Sequence, residues 1–359
     1  MAKQNLTIRA GSRAAERLRA EGFHPDLFGT LVGASGGPKW LVLRHLDSVL
    51  IDRLIARRST PLDTLGSSIG SFRHACFAHD DPQAALARFE TGYIGQSYDE
   101  SALDPRGMPG MEAITLESDR ILGDLLGEKG AQEICDNPLI KNHIVVARLR
   151  NDQGRDRGAA FYGQLGAAAL SNAFSRRALG RSFERLLFRP ERGALAYHDL
   201  PTTEVDLTPQ RVQHALLASG SIPLVMAGVR STPGVDGTLF DGGIIDYNFD
   251  FEFERREGLV LFAHFFDKII PGWFDKPLKW RKPSLAALED VVMIAPSDAF
   301  VASLPGGKLP DRSDFLDFGT DERIERWNGV VEACRILGEE LEELIDSQRL
   351  SERIEAFPA

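Results

Sequence analysis

A serine held between two glycines is the first feature of this sequence that could carry chemistry. Residues 66–70 read Gly-Ser-Ser-Ile-Gly, a G-x-S-x-G pattern centred on Ser68. In this pattern the serine occupies a sharp strand-to-helix turn that exposes its hydroxyl, and the glycines let the strand and helix approach closely. The chain contains 34 glycines, and residues 33–37 hold a second copy around Ser35. An ordinary loop of small residues is therefore the alternative interpretation.

A glycine-rich segment about one strand–helix unit earlier could stabilise an oxyanion. Gly36 and Gly37 fall between a short apolar run and a stretch with helical spacing. A turn of this kind can aim backbone N–H groups at one point, and the start of a helix favours negative charge. A phosphate-binding loop is the competing interpretation. It fits poorly, because Lys39 follows Pro38 and Trp40 occupies the Ser/Thr position of that motif.

A carboxylate is the best candidate for the base that a serine nucleophile needs. Asp241 precedes Gly242 and Gly243, so its carboxylate can project from a tight turn and take a serine proton directly. The same tripeptide is also an ordinary turn signal. A Ser–Asp–His order would require His264, the last of eight histidines in the chain. His264 lies within an apolar strand pattern, which is more typical of a histidine in the core.

The elements around these residues predict a parallel sheet. A buried strand over 27–34 and a short strand near residue 62 are each followed by a glycine-rich turn and a helix. Two such units in succession build a parallel sheet and bring both turns to the carboxyl ends of adjacent strands. Further strands are predicted over 143–150, 193–199 and 259–266, and one long amphipathic helix over 324–344.

Composition and charge narrow the class of protein. Hydrophobic residues make up 43% of the 359 residues and charged residues 26%, as in ordinary globular proteins. No apolar run is long enough to predict a membrane span. The 42 basic and 52 acidic residues give a net charge of −10, which does not favour nucleic acid as a partner. Three scattered cysteines predict neither a disulfide framework nor a cysteine zinc site, and the N-terminus lacks a secretion signal, which predicts a cytoplasmic protein.

Taken in order, these motifs resemble those of the patatin-like phospholipase family of Ser–Asp acyl hydrolases. That family carries G-G-G-x-[KR]-G, G-x-S-x-G and D-G-[GA] motifs, to which residues 35–40, 66–70 and 241–243 correspond. Residues 218–229 also resemble the segment before the family's aspartate motif. The resemblance covers about 28–250. It implies a three-layer α/β/α patatin-like fold with a mainly parallel central sheet.

The resemblance also implies roles for individual residues. Ser68 would be the nucleophile, Asp241 the general base, and Gly36 and Gly37 the donors to the oxyanion. Lys39 matches the family's basic position, either as electrostatic support or as a surface charge. The implied reaction is hydrolysis of carboxylic esters of lipids through an acyl-serine, with no metal or cofactor. Ser35 and Trp40 replace the first and last glycines of the family's oxyanion motif. These departures affect the type of substrate expected, because Trp40 could narrow the acyl pocket.

The implied organisation is one α/β domain over residues 1–359, with the motif-bearing core at about 28–250 and a C-terminal helical extension at about 284–350. Two other functions remain open at this stage. One is an α/β-hydrolase with a Ser68–Asp–His264 triad. The other is a catalytically silent binding protein that keeps the fold.

Contact with a membrane surface is one of two interpretations of a short segment after the motifs. Residues 266–282 combine Trp273, Phe274 and Trp280 with five basic and two acidic residues. Aromatic and basic side chains together suit an anionic bilayer surface. The alternative is a surface loop whose aromatic side chains pack on the core, and the two prolines of the segment favour it because they interrupt any amphipathic helix.

Overall fold

The computed structural model describes residues 4–105, 107–152, 154–190 and 195–358. Within these residues it has twelve strands: β1 (Leu6–Ala10), β2 (Phe28–Gly33), β3 (Leu62–Ser67), β4 (Ile140–Leu149), β5 (Phe183–Arg189), β6 (Ala196–Tyr197), β7 (Thr202–Asp206), β8 (Leu239–Asp241), β9 (Phe253–Glu254), β10 (Leu259–Ala263), β11 (Val291–Pro296) and β12 (Ile354–Ala356).

The same residues form thirteen α-helices: α1 (Ser12–Glu21), α2 (Arg44–Leu50), α3 (Ile69–Phe77), α4 (Pro82–Ile94), α5 (Met111–Leu126), α6 (Gly130–Asp136), α7 (Ala159–Phe174), α8 (Arg176–Leu179), α9 (Pro209–Gly220), α10 (Asp298–Val301), α11 (Asp314–Asp317), α12 (Thr320–Ala333) and α13 (Arg335–Asp346). None of these described helices is both long and apolar enough to cross a membrane.

The central sheet has the strand order β12-β1-β11-β10-β2-β3-β4-β5-β7, and β8 pairs with β4 as a tenth strand. The five strands from β11 to β4 run parallel to one another. β2, β3, β10 and β11 are buried along their whole length, as expected where a parallel sheet is covered on both faces. The predicted α/β class, with a mainly parallel central sheet flanked by helices, is confirmed.

Strand register brings the end of β3 and the end of β8 together. β3 pairs with one edge of β4 as far as Ser67 opposite Val145. β8 runs antiparallel to β4 and continues the pairing, with its last residue, Asp241, opposite Val146. The other edge of β4 is occupied by β5. Asp241, at the end of β8, therefore lies next to the turn that follows β3.

The C-terminal part differs from the helical extension expected at about 284–350. Val291–Pro296 forms β11, which lies between β1 and β10 inside the central sheet, so the sheet continues well beyond residue 250. A short apolar run that is buried on both faces cannot be assigned to strand or helix from periodicity alone. The long helix predicted over 324–344 is two helices, α12 and α13, which meet at Cys334.

The strand predicted over 193–199 is reduced to β6. Residues 193 and 194 lie outside the described residues. Within the part of the chain that the structure describes, β6 pairs only with β9, in a two-stranded sheet separate from the central one.

Candidate active site

Ser68 occupies a strained turn between β3 and α3. Its backbone has φ 53° and ψ −130°, a region that residues other than glycine rarely adopt. The turn is also tightly packed. A Cβ atom on Gly70 would overlap the carbonyl of Gly33, and one on Gly66 would lie 2.6 Å from the amide nitrogen of Ser71. Glycine on both sides therefore lets α3 begin directly against β2 and β3, as the G-x-S-x-G pattern predicts.

The hydroxyl of Ser68 donates a hydrogen bond to Asp241. The distance from Ser68 Oγ to Asp241 Oδ2 is 2.8 Å, and the two residues are 173 positions apart in the chain. The second carboxylate oxygen, Oδ1, accepts a hydrogen bond from the amide of Gly243 at 2.6 Å. Ser68 and Asp241 are each only 6% exposed. The carboxylate is thus held from both sides while one oxygen faces the serine.

Burial changes the acidity of Asp241. Desolvation raises the pKa of its carboxyl to about 6, although the hydrogen bonds from Ser68 and from the Gly243 amide favour the charged form. A carboxylate with such a pKa is mostly ionised at pH 7. It is also a stronger proton acceptor than an exposed aspartate, which suits a general base.

Ser219 on α9 links the turn at Ser68 to β4. Its Oγ donates to the carbonyl of Val145 at 2.7 Å and accepts from the amide of Ser68 at 2.9 Å. The hydroxyl of Ser71 lies 3.0 Å from the same oxygen. The Ser68 amide is therefore engaged within the protein. Sequence reasoning missed this residue, although it lies inside the 218–229 segment that carries part of the family resemblance.

Gly36 and Gly37 lie beside Ser68 and Asp241 at the wall of one cavity of about 280 Å³. Within the described chain, neither glycine amide donates a hydrogen bond to a protein acceptor. Gly37 has φ +56°, which favours glycine, and a Cβ atom on Gly36 would overlap the ring of Phe265. Two free amides at this position are what a developing oxyanion would need.

The two residues that depart from the family pattern are both accommodated. Ser35 turns its hydroxyl towards Ser67, at 2.8 Å between the two oxygens, and Ser67 donates to the carbonyl of Asp246 at 2.6 Å. Trp40 is fully buried and stacks on Phe89 with ring centroids 4.7 Å apart. Trp40 is not among the described residues that line either cavity near Ser68. The expectation that Trp40 narrows an acyl pocket is therefore wrong, because its ring packs into the core.

A second cavity, of about 340 Å³, meets the first at Ser68 and Gly37. Its wall is largely apolar and includes Phe72, Ile114, Val225, Met226 and Phe315. We call this second cavity the apolar cavity, and the first, which Lys39, Asp241 and Lys276 line, the polar cavity. Ser68 lies between the two.

Basic side chains surround the polar cavity. Lys39, at the family's basic position, lines it and forms an ion pair with Asp311. Lys276 and Arg312 line it as well. Desolvation, followed by repulsion from Arg312 and Lys39, lowers the pKa of Lys276 to about 8 even though its side chain reaches solvent. Sequence reasoning did not find Arg312, because nothing in its local pattern relates it to residues far away in the chain.

His264 is not connected to the pair. It is fully buried, and its Nδ1 lies 2.6 Å from the carbonyl oxygen of Phe266. Burial lowers the pKa of its imidazole to about 3, so the ring is neutral. Among the described residues, no histidine forms a hydrogen bond with Ser68 or Asp241.

The aromatic residues of segment 266–282 divide into two groups. Trp273 is half-buried and lines the polar cavity, and Phe274 is half-buried against the core. Trp280 is 71% exposed. Within the part of the chain that the structure describes, no group of three or more histidine, cysteine, aspartate or glutamate side chains is arranged to hold a metal ion.

Comparison with known proteins gives structural likeness at low identity. No family model matches the sequence, and no curated protein matches it. The chain is similar to the type III effector protein ExoU, with 15% identity and a TM-score of 0.30 over 89% of this chain and 54% of that one. It is similar to VipD from Legionella pneumophila, with 13% identity and a TM-score of 0.31 over 73% of this chain and 54% of that one. The chain thus spans about half the length of these solved structures.

Proposed function

We propose that this protein is a patatin-like serine acyl hydrolase that cleaves carboxylic esters of lipids with a Ser68–Asp241 dyad. The observation that carries the proposal is the 2.8 Å hydrogen bond from Ser68 Oγ to Asp241 Oδ2. It is supported by the strained turn at Ser68 and by the free amides of Gly36 and Gly37 at the same cavity.

The proposed reaction has two steps. Asp241 accepts the proton of Ser68 as Oγ attacks the ester carbonyl, and the amides of Gly36 and Gly37 stabilise the oxyanion. Collapse of the tetrahedral intermediate breaks the bond to the alcohol, which leaves with the proton held by Asp241. An acyl-serine remains. Asp241 then takes a proton from water, the resulting hydroxide attacks the acyl-serine, and the carboxylic acid is released as Ser68 regains its proton.

The two cavities suggest how the ester lies across Ser68. The apolar cavity suits an acyl chain, since its wall is formed by aliphatic and aromatic side chains. The polar cavity then receives the alcohol part. Hydrolysis of p-nitrophenyl esters over a series of acyl lengths, run together with labelling by a fluorophosphonate probe, tests the proposal. A catalytically silent protein would neither hydrolyse the esters nor react with the probe.

Replacing His264 by glutamine separates the dyad from a Ser–Asp–His triad. The dyad predicts activity within about threefold of the wild type, because among the described residues the neutral, buried His264 forms no hydrogen bond with Ser68. The triad predicts a loss of about 10³-fold or more. The measurement is kcat/KM on a soluble ester, with the melting temperature as a check of folding. Near-complete loss of activity in a folded variant would contradict the dyad.

We also propose that segment 266–282 contacts an anionic lipid surface together with the adjoining face of α7. α7 has no charged residue, and its Tyr162, Leu170 and Phe174 are 54%, 64% and 84% exposed. Their spacing of eight and four residues places them on one face of the helix. Lys268 and Lys279 of the segment are exposed basic side chains, which complement an anionic bilayer.

Contacts at the end of α7 join this face to the segment. Asn172 donates to Asp275 at 2.6 Å, and Arg281 donates to the carbonyl of Asn172 at 2.7 Å. These two hydrogen bonds therefore fix the segment that carries Trp280 to the end of α7 that carries Phe174. Because Trp273 of the same segment lines the polar cavity, a bilayer on this face would lie near the active site.

The double variant Phe174→Ser/Trp280→Ala is expected to bind anionic vesicles at least tenfold more weakly than the wild type, because it loses two exposed anchors. Co-sedimentation with vesicles of phosphatidylcholine and phosphatidylserine measures this. Ile336→Ser, which alters another exposed apolar residue on α13, is the matched control and should bind normally. Equal binding by the double variant and the wild type removes the proposal.

A further inference from the structure

The polar cavity carries more positive charge than the proposed chemistry requires. Lys39 is neutralised by its ion pair with Asp311. Arg312 forms no hydrogen bond or ion pair through its guanidinium within the described residues. The ammonium of Lys276 lies 4.0 Å from the centroid of the Tyr247 ring, and no described carboxylate pairs with it. Two cations thus line a cavity whose carboxylates are Asp241, which accepts from Ser68, and Asp311, which pairs with Lys39.

The carboxylate of Asp241 attracts both cations, but among the described residues neither cation forms an ion pair, so part of their charge is uncompensated until an anion binds. Like charges that face one cavity repel each other, and partial removal from water adds to the cost. The oxyanion of the reaction does not account for the pair, since the free amides of Gly36 and Gly37 are placed for it. A neutral ester offers nothing else for two cations to bind. The charges therefore indicate a permanent negative group on the bound substrate.

The position of the cations indicates which part of the substrate carries that group. Lys276 lines the polar cavity but not the apolar one, whereas Arg312 lines both, at the place where they meet. With the acyl chain in the apolar cavity, both cations face the alcohol side of the ester. A guanidinium can hold two oxygens of a phosphate or carboxylate at once, and an ammonium adds a point charge.

We infer that Lys276 and Arg312 form a subsite for an anionic group, a phosphate or carboxylate, on the alcohol side of the scissile ester. The inference rests on the proposed acyl hydrolase function and deepens it. It makes these two residues determinants of specificity that lie outside the three motifs of the resemblance. The expected substrate is an acyl ester whose alcohol is negatively charged, rather than a neutral acylglycerol.

A matched pair of substrates tests this subsite. For one acyl chain, kcat/KM is measured for the monoacylglycerol 3-phosphate and for the monoacylglycerol, both below their aggregation concentrations. We expect the wild type to prefer the phosphate ester by at least tenfold. Arg312→Gln and Lys276→Gln should each reduce that ratio at least threefold, mainly through KM, and Arg312→Lys should retain part of it. Arg326→Gln, which changes an exposed arginine on α12, is the control and should keep the ratio.

Inhibition distinguishes a headgroup from free phosphate. Inhibition by glycerol 3-phosphate alone assigns the subsite to an esterified headgroup, and equal inhibition by inorganic phosphate assigns it to the phosphate itself. A wild-type ratio near one, or a ratio unchanged in both variants, overturns the inference while leaving ester hydrolysis intact.

Binding provides an independent measurement. Calorimetry on Ser68→Ala compares its affinity for the same two lipids without turnover. If no ester is hydrolysed by the wild type, the proposed function fails. The subsite then still stands or falls on whether Arg312→Gln abolishes the difference in affinity.

Discussion

Replacing Ser68 by alanine is expected to lower kcat for ester hydrolysis by about 10⁴-fold or more, since the reaction loses its nucleophile. The same variant should fail to react with a fluorophosphonate probe. The measurements are initial rates on a short-chain ester and the mass of the intact protein after labelling. In the wild type the added mass should correspond to a single adduct on the peptide that contains residue 68.

Nearby hydroxyls make this a demanding test. Ser35 lines the same cavity and Ser67 directly precedes Ser68, but their hydroxyls bond to each other and to the carbonyl of Asp246. An adduct mapped to either of them would contradict the proposed role of Ser68. Ser303→Ala removes a hydroxyl that donates to the carbonyl of Phe300, away from the cavity, and should keep full activity. Residual activity of Ser68→Ala near that of this control would end the proposal.

The turn around Ser68 could be predicted because its causes are local. Two glycines flank the serine, and the steric reason for them holds wherever a helix starts directly after a buried strand. The parallel order of β2, β3 and their helices followed from the same short-range pattern. Asp241 was different. β8 has only three residues and no periodicity, so the sequence could suggest the carboxylate as a base without showing which strand would hold it.

Other features depend on contacts between distant parts of the chain. Arg312 and Lys276 reach the polar cavity from segments that share no motif with residues 28–250. Val291–Pro296 became a strand because an open edge between β1 and β10 was available for it. Trp40 entered the core because Phe89 of α4 provides a stacking partner. Hydrophobic patterning describes one face of one element, so it cannot identify a partner that arrives from another.

Replacing Asp241 by asparagine is expected to lower kcat by about 10³-fold or more while leaving the fold intact. Asparagine has the same shape and keeps an oxygen for the amide of Gly243, but it cannot accept the proton of Ser68. The wild-type rate should increase with pH up to about 6 and then level off, because the pKa of the buried carboxyl is raised to about 6. Asp236→Asn, which alters an exposed aspartate before a glycine just ahead of β8, is the matched control and should retain both the rate and the pH profile.

The same substitution should alter stability in a direction that separates a lost base from a damaged fold. The carboxyl of Asp241 has a higher pKa when folded, so the folded state binds more protons than the unfolded state between about pH 4 and 6. The free energy of unfolding therefore falls as pH rises through that window, by roughly 3 kcal/mol for a shift of about two units. Asp241→Asn lacks this loss. The melting temperature of the variant minus that of the wild type should therefore be more positive at pH 8 than at pH 4.5. A melting temperature that drops at pH 8 together with activity would mean that Asp241 supports the fold rather than the reaction.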